Sequence, residues 1–434
     1  AYTYLRMLRR AASHVCRVQT ARQFSATTNT HPLGLSPKTV EIVKSTAPVF
    51  ADLGYTITRT MYKNMFRDCP HVKEMFNQAH QVELRGEQAL QPISLASSVH
   101  AYAKHIDDPT VLTEAIMRIA HKHVSLNVIA PQYDVVGEQL LRAVKEVLKD
   151  AATPQIMEAW GEAYKALAKV FIDVEGALVK AGKEQAGGWQ GWRDFVVKEK
   201  IKESANIYSF ILEPKDGKDI CLHKPGQYIG LNARFGDIKT TRNYTISCKP
   251  NHKFFRLTVK REGPAATGAP DGVVSSHLHQ NVKAGDVVQL SIPCGDFFLD
   301  TESTKPVALI SGGVGLTPNL SILEHLVGTG AQQHITFLMG IRNVDVEPMH
   351  EYLSKIRRRN LNVKVKFVYD DPPNGDYPAG PITMDQVKMA VPTLDSEYYL
   401  CGPPAMMTSL LKGLKSAGVP EDQIHHEFFG PFHY

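Results

Sequence analysis

The stretch AGGWQGWRDF, residues 186–195, separates two kinds of sequence. Before it, apolar residues recur at helical spacing; after it they alternate with polar ones in short runs. One layer of secondary structure cannot satisfy both periods, so a chain of 434 residues carrying this break has to be multidomain.

Residues 36–185 read as one all-α domain. SPKTVEIVKSTAPVF opens it, with Ser36 as N-cap and Pro37 at the first helical position. Helical periodicity continues over 51–68, 92–105, 110–125, 134–150 and 155–183, interrupted at CPH, RGEQALQP, DDP, APQ and ATP. Residues 186–302 alternate apolar and polar in FVVKEKI, NIYSFILEP, QYIGLNA, NYTISC, FRLTVKR and VVQLSIP, with glycine and proline between. That pattern predicts an antiparallel β-barrel. In residues 303–434 the apolar runs VALIS, ITFLMG, VKVKFVY and EYYLCG alternate with helical stretches such as 318–327, which predicts a parallel α/β sheet.

The formal charge of +5 is located in one place. Arg6, Arg9, Arg10, Arg17 and Arg22 fall in a segment with no acid before Glu41, and without them 44 basic residues face 44 acidic ones. The remaining chain therefore has no bulk signature of nucleic-acid binding. Leu5, Leu8, Ala12 and Val15 share a helical face in the leader, and QFSATTNT follows. Residues 1–35 thus read as a mitochondrial transit peptide and linker, with RQFS placing cleavage after Phe24. Import machinery would be its partner and the matrix its destination; a basic tail on a cytoplasmic protein is the alternative. No apolar run is long enough to insert in a membrane. The six cysteines are scattered without a C-x-x-C, as in reduced thiols. The chain is expected to be a monomer.

Three motifs carry chemistry in the second half. VALISGGVGLTPNLSIL runs strand, glycine turn, helix, so that Gly312, Gly313 and Gly315 admit a diphosphate to backbone N–H groups before the helix that follows Thr317. Tight strand–helix packing would call for the same glycines. A second turn, Cys401, Gly402 and Pro403 in YYLCGPPAMM, ends a later strand. In RNYTIS, Arg242, Tyr244 and Thr245 take alternating orientations along a strand, offering a cation to phosphate and a ring to a flat cofactor; alone, this is also ordinary strand surface.

With KPGQYIGL, DGVVSSHL and CGDFFL in order around RNYTIS, residues 190–434 resemble the ferredoxin–NADP reductase family. The resemblance implies that Tyr228, Arg242, Asn243, Tyr244 and Thr245 hold FAD, with Val274, Ser275 and Ser276 near its diphosphate. It implies that Ser311, Gly312, Gly313, Val314, Gly315, Leu316 and Thr317, with Cys401, Gly402 and Pro403, face NADPH or NADH. Phe428, Phe429, Gly430 and Pro431 in HEFFGPF would meet the flavin, Phe429 over its ring. Arg342 is a candidate for a 2′-phosphate or a solvated loop residue, and the choice between NADPH and NADH stays open.

MRIAHKHVSLNV, residues 117–128, holds two histidines that cannot share a helix face. His123 continues the stripe of Leu112, Ala115, Ile116 and Ile119; His121 follows Glu114, Met117 and Arg118. Phase therefore turns His123 to the interior, either as a hydrogen-bonded core histidine or as a ligand. MYKNMF, EMFN, Gln91 with Leu95, PQYDVVGEQLL and AWGEAYKALAKVFIDVE flank this helix. In that order they are similar to the globin domain of flavohaemoglobins, and the two halves together resemble the mitochondrial, fungal form of that family.

This resemblance implies haem b bound through His123, with Tyr133 and Glu175 behind it. Tyr62 would be the distal hydroxyl, Gln91 and Leu95 distal neighbours, and Phe76 a haem contact. Lys122 and Glu427 correspond to positions between haem and flavin. The stretch between Phe76 and Gln91 is about five residues longer than in bacterial relatives, leaving His80 and Gln88 as competitors for the Gln91 position. The implied activity is nitric oxide dioxygenation: electrons pass from NAD(P)H through FAD to haem iron, and O2 held opposite His123 oxidises NO to nitrate. Reduction of alkyl hydroperoxides, or of NO without oxygen, would use the same parts. A sensor lacks an output region here, an oxygen-storing globin needs no reductase, and loss of haem sits badly with His123, Tyr133 and Glu175 all present.

Overall fold

The computed structural model describes residues 31–83, 86–263, 271–372 and 379–430, so the leader arginines and Pro431 lie outside the described residues. The chain divides into two compact units. One runs to Glu184 and includes the hairpin tip Arg234–Thr241; the other comprises Gln185–Ala233 and Arg242–Gly430.

The first unit is helical: α1 Pro37–Ser45, α2 Ala47–Asp68, α3 Leu90–Lys104, α4 Thr113–Ser125, α5 Pro131–Leu148 and α6 Pro154–Glu184. Ser36 caps α1 by accepting from the Thr39 N–H, with Pro37 in the first turn. A break falls at Thr46, because Pro48 fits the first turn of a new helix and not the interior of an old one. Thr46 then accepts from Trp160 Nε1 at 3.0 Å, and the Trp160 ring packs on Phe50 at 4.4 Å, tying α6 to the α1–α2 junction. Gly54 lets α2 approach α3 closely, since a Cβ there would lie 3.2 Å from that of Ala96. Ile57, Met61, Met65, Ala103, Ala143 and Ala163 fill the core between these helices. Each fully buried large apolar side chain contributes about 1.5–3 kcal/mol.

The second unit holds two sheets. Strands β1 Arg193–Lys202, β2 Ile207–Pro214, β3 Tyr228–Phe235, β4 Ile238–Thr245, β5 Phe255–Lys260 and β6 Val287–Leu290 form an antiparallel sheet in the order β4-β3-β6-β1-β2-β5. The expected barrel is a curled sheet. Its end strands meet where Ile246 bridges Leu257 and the Ser247 N–H donates to the Arg256 carbonyl. A bulge between Val197 and Glu199 in β1 supplies part of the bend. Helix α7, Val273–Gln280, follows β5.

The other sheet comprises β7 Val307–Gly312, β8 Ile335–Ile341, β9 Val363–Tyr369, β10 Glu397–Cys401 and β11 Ile424–Glu427, all parallel in the order β11-β10-β7-β8-β9. Alternate residues go to opposite faces. Val307 and Leu309 pack with α8 (Leu316–Gly328) and α9 (His350–Arg359); Ala308 and Ile310 pack with α10 (Met384–Ala390) and α11 (Pro404–Ser416). The chain moves outward from β7 to β9 and then returns to the other side of β7 as β10, so the order reverses between β7 and β10. Ligands of open α/β sheets bind beyond the strand C-termini at such a point. Among the described residues no helix is long and apolar enough to cross a membrane.

Candidate functional site

In the first unit a hydrogen-bonded triad gathers three helices around one imidazole. Glu175 on α6 is buried and accepts from the Tyr133 hydroxyl on α5 at 2.5 Å. His123 Nδ1 on α4 lies 2.7 Å from Glu175 Oε1 and 2.8 Å from Tyr133 Oη. Because the single tyrosine proton goes to the carboxylate, both acceptors face Nδ1, which must carry a proton. The lone pair of the neutral ring is then on Nε2, where a metal would be bound. Burial, with the Glu175 charge beside it, pushes the Tyr133 hydroxyl far above the usual phenol range, so it stays a donor. Phe171 packs on His123 with ring centroids 5.7 Å apart, and Tyr164 donates to the Tyr133 carbonyl, holding α5 in place.

The two histidines of α4 exchange the environments expected from helical phase. His121 is the buried one, at 8% exposure, while the His123 side chain is 31% exposed. Helix α4 enters the core through Ile116, Met117, Ala120, His121 and Val124. Leu112, Ala115, Ile119 and His123 form a second apolar face that the polypeptide covers only in part. Helical phase finds apolar faces but does not say whether protein or a bound group covers them. A half-covered apolar face with an Nδ1-saturated histidine fits haem ligated through Nε2.

On α2, buried Tyr62 accepts from Gln91 Nε2 at 3.3 Å; Gln91 is in the first turn of α3. Burial raises the Tyr62 hydroxyl to about 12, which keeps it protonated at any physiological pH. The Tyr62 and Phe76 rings meet edge-on at 5.4 Å, and Phe66 meets Phe76 at the same separation. Leu95, Phe66, Phe76 and Leu112 are half-buried around the same core. His80 pairs with Asn77 and Gln88 is exposed, so Gln91 is the residue that the structure brings to Tyr62. Lys122 is exposed on α4, and Glu427 ends β11 in register with Cys401.

In the second unit, Tyr228 opens β3 and exchanges backbone hydrogen bonds with Cys294. Arg242 and Tyr244, two apart on β4, share a strand face and interact electrostatically; burial lowers the guanidinium and raises the phenol from their ordinary values. Thr245 is buried at the strand end and Asn243 half-buried. On α7, Val274 and Ser275 are buried. Ser275 Oγ serves the Glu262 N–H, whereas Ser276 Oγ is buried with no partner among the described residues. A buried hydroxyl without a partner at a helix N-terminus, in the unit that carries Arg242 and Tyr244, fits the phosphates of FAD. Phe428 is half-buried beside His426, Phe429 is 53% exposed, and Gly430 has φ +143°.

The glycine turn has two explanations, and the structure separates them by position. A Cβ on Gly315 would lie 2.2 Å from the Cys401 carbonyl oxygen, so this glycine lets the β7 and β10 turns pack together. Gly313, at φ +53° with open space where a Cβ would point, leaves its backbone accessible. Ser311, Leu316 and Thr317 are buried, with Thr317 Oγ1 donating to the Val314 carbonyl. Cys401 is buried, its thiol raised by that burial and by Glu427, whereas Pro403 is exposed and Gly402 half-buried. Arg342 is exposed just after β8. Sequence reasoning missed Asn319, whose Nδ2 donates to the Ile310 and Tyr399 carbonyls and to Ser311 Oγ, pinning α8 beneath both turns. A lone asparagine in the apolar run LTPNLSIL was the available signal.

Family models match along the chain in the same order: globin over residues 59–171, oxidoreductase FAD-binding domain over 194–299 and oxidoreductase NAD-binding domain over 309–412. A flavohemoprotein of Halalkalibacterium halodurans is 40% identical over 92% of this chain and 97% of its own; one of Rhizobium meliloti is 42% identical over 92% and 98%. The chain belongs to the flavohaemoproteins. A solved flavohemoglobin of Malassezia yamatoensis, with FAD and heme bound, covers 91% of this chain and 100% of its own at 26% identity and TM-score 0.74. The FAD/NAD-binding domain of a nitric oxide dioxygenase from Vibrio cholerae covers 55% of this chain and 99% of its own, at 35% identity and TM-score 0.51. As a flavohaemoprotein the chain is an oxidoreductase with haem, FAD and a nicotinamide nucleotide, NADPH or NADH, as its cofactors.

Proposed function

We propose that this flavohaemoprotein is a nitric oxide dioxygenase using NADPH or NADH. FAD, which Tyr228, Arg242, Tyr244 and Thr245 would hold, would supply conversion of a nicotinamide electron pair into single electrons, and haem, which His123 would hold, would supply the O2-binding metal. Over the whole reaction two NO and two O2 become two nitrates as one NAD(P)H is oxidised and one proton released.

The chain's own residues do the remaining work. Glu175 and Tyr133 hold His123 as the Nδ1–H tautomer and make its Nε2 a stronger electron donor. Tyr62, kept neutral by burial and held by Gln91, offers an O–H to a ligand that gains negative charge. The observation that carries the reading is the Glu175–Tyr133–His123 triad, because an electron-rich proximal histidine serves the turnover of O2 rather than its storage. The nitric oxide dioxygenase named for the Vibrio cholerae relative supports it. Mixing the holoprotein with NAD(P)H, O2 and NO in stopped flow should convert NO to nitrate in equal amount. Nitrous oxide in place of nitrate would favour reductive NO chemistry.

The arginine-rich leader without acids supports import into the mitochondrial matrix, where NO meets respiratory haem proteins. A fluorescent protein fused after residue 35 should enter mitochondria; diffuse cytosolic signal would contradict import.

A further inference from the structure

Helix α8 follows the glycine turn, and residues 247–249 follow the strand of Arg242 and Tyr244. A buried cluster ties these two stretches together. Glu324 Oε1 accepts from Arg256 Nη2 at 2.6 Å and from the Tyr352 hydroxyl at 2.7 Å, and Oε2 accepts from the Lys249 backbone N–H at 3.0 Å. One turn earlier on the same helix face, Ser321 Oγ donates to the Cys248 carbonyl at 2.7 Å. Arg256 is fixed on its own side by Ser247, with Nε 3.1 Å from Oγ and Nη2 donating to the carbonyl. The Arg256 and Glu324 side chains are only 14% and 9% exposed.

Stability is a poor explanation for such a pair. Removing both charges from water costs much of what their attraction returns, and apolar residues of similar volume would serve as well. A charged pair with fixed hydrogen-bond directions instead selects one arrangement of the two lobes. Hydride transfer depends on that arrangement, because the reacting atoms must come within about 3–3.5 Å in line. In that step the C4–H bond of the nicotinamide breaks and an N–H bond forms on the flavin. The electron pair moves with the hydrogen, so the nucleotide is oxidised as the flavin is reduced.

We infer that Arg256, Glu324 and Ser321 are positioning residues that set how the nicotinamide meets the flavin. The inference rests on the reductase half of the proposed function and not on NO chemistry.

Two variants of the full-length holoprotein test it, Glu324→Gln and the double variant Arg256→Met with Glu324→Leu. Each is mixed with NAD(P)H in the absence of O2 and NO while flavin absorbance is followed. The limiting rate of flavin reduction should fall about tenfold to hundredfold in both. FAD content and the Kd for oxidised nucleotide should be unchanged, and the nicotinamide–flavin charge-transfer absorbance should weaken. The double variant leaves no charge buried alone and should fold cooperatively with full FAD content and only a modestly lowered thermal midpoint, which separates misplacement from unfolding. An unchanged limiting rate in the double variant would overturn the inference, as would a loss explained by weaker nucleotide or FAD binding. If the unaltered protein shows no flavin reduction, the reductase reading falls, and the inference with it.

Discussion

His123 Nδ1 and Glu175 Oε1 lie 2.7 Å apart although their residues sit on different helices, α4 and α6. The carboxylate pulls on the Nδ1 proton and so enriches Nε2. Replacing Glu175 by Gln keeps the shape and removes the charge. Resonance Raman should then show a weaker iron–histidine bond, the haem potential should rise, and turnover should fall about tenfold to hundredfold.

Tyr62→Phe removes the O–H that Gln91 helps to hold. A hydrogen bond to a group gaining charge is worth about 1.5–3 kcal/mol, so O2 should dissociate roughly ten to a hundred times faster by flash photolysis. Because the folded pKa is raised to about 12, the hydroxyl remains a donor as pH rises, and the unaltered protein should hold its O2 dissociation rate constant between pH 6 and 10.

The two histidines of α4 should separate by measurement. His123→Ala should abolish stable haem retention, read from the Soret band. His121→Ala should retain haem but lower the unfolding free energy by about 1–3 kcal/mol, because His121 is packed in the core.

The same two histidines mark how far the amino-acid sequence reaches. The break at residues 186–195 and the alternation of VALIS, ITFLMG and VKVKFVY with helices are enough to read three kinds of fold in order. Tyr133 and Glu175 are reached through family resemblance alone; spacing has no way to show that residues 42 apart share a proton with His123. Phase inverts the environments of His121 and His123 because it records apolarity and not what covers it. Gly315 looks like a glycine that admits a ligand, whereas its need arises from a turn that comes over 80 residues later. Arg256 and Glu324 are invisible in the sequence for the same reason: each is an ordinary charge until the fold brings the two lobes together.

His223 is buried, with its Nε2 3.0 Å from the Cys248 carbonyl, and burial lowers its pKa from 6.5 to about 4. The folded state therefore binds fewer protons than the unfolded state between these values. Its contribution is fully present above pH 6.5 and is lost as pH falls toward 4, a difference on the order of 3 kcal/mol. Urea unfolding across that window should show this loss, and His223→Gln, which does not titrate, should show a shallower dependence.

Dioxygenation transfers both atoms of O2 to one NO. The direct measurement is mass spectrometry of nitrate formed by the holoprotein from NAD(P)H, unlabelled NO and ¹⁸O2. Nitrate carrying two labelled oxygens, in equal amount to the NO consumed, is the predicted result. Unlabelled nitrate, or NO consumed with nitrous oxide as the product, would rule out dioxygenation.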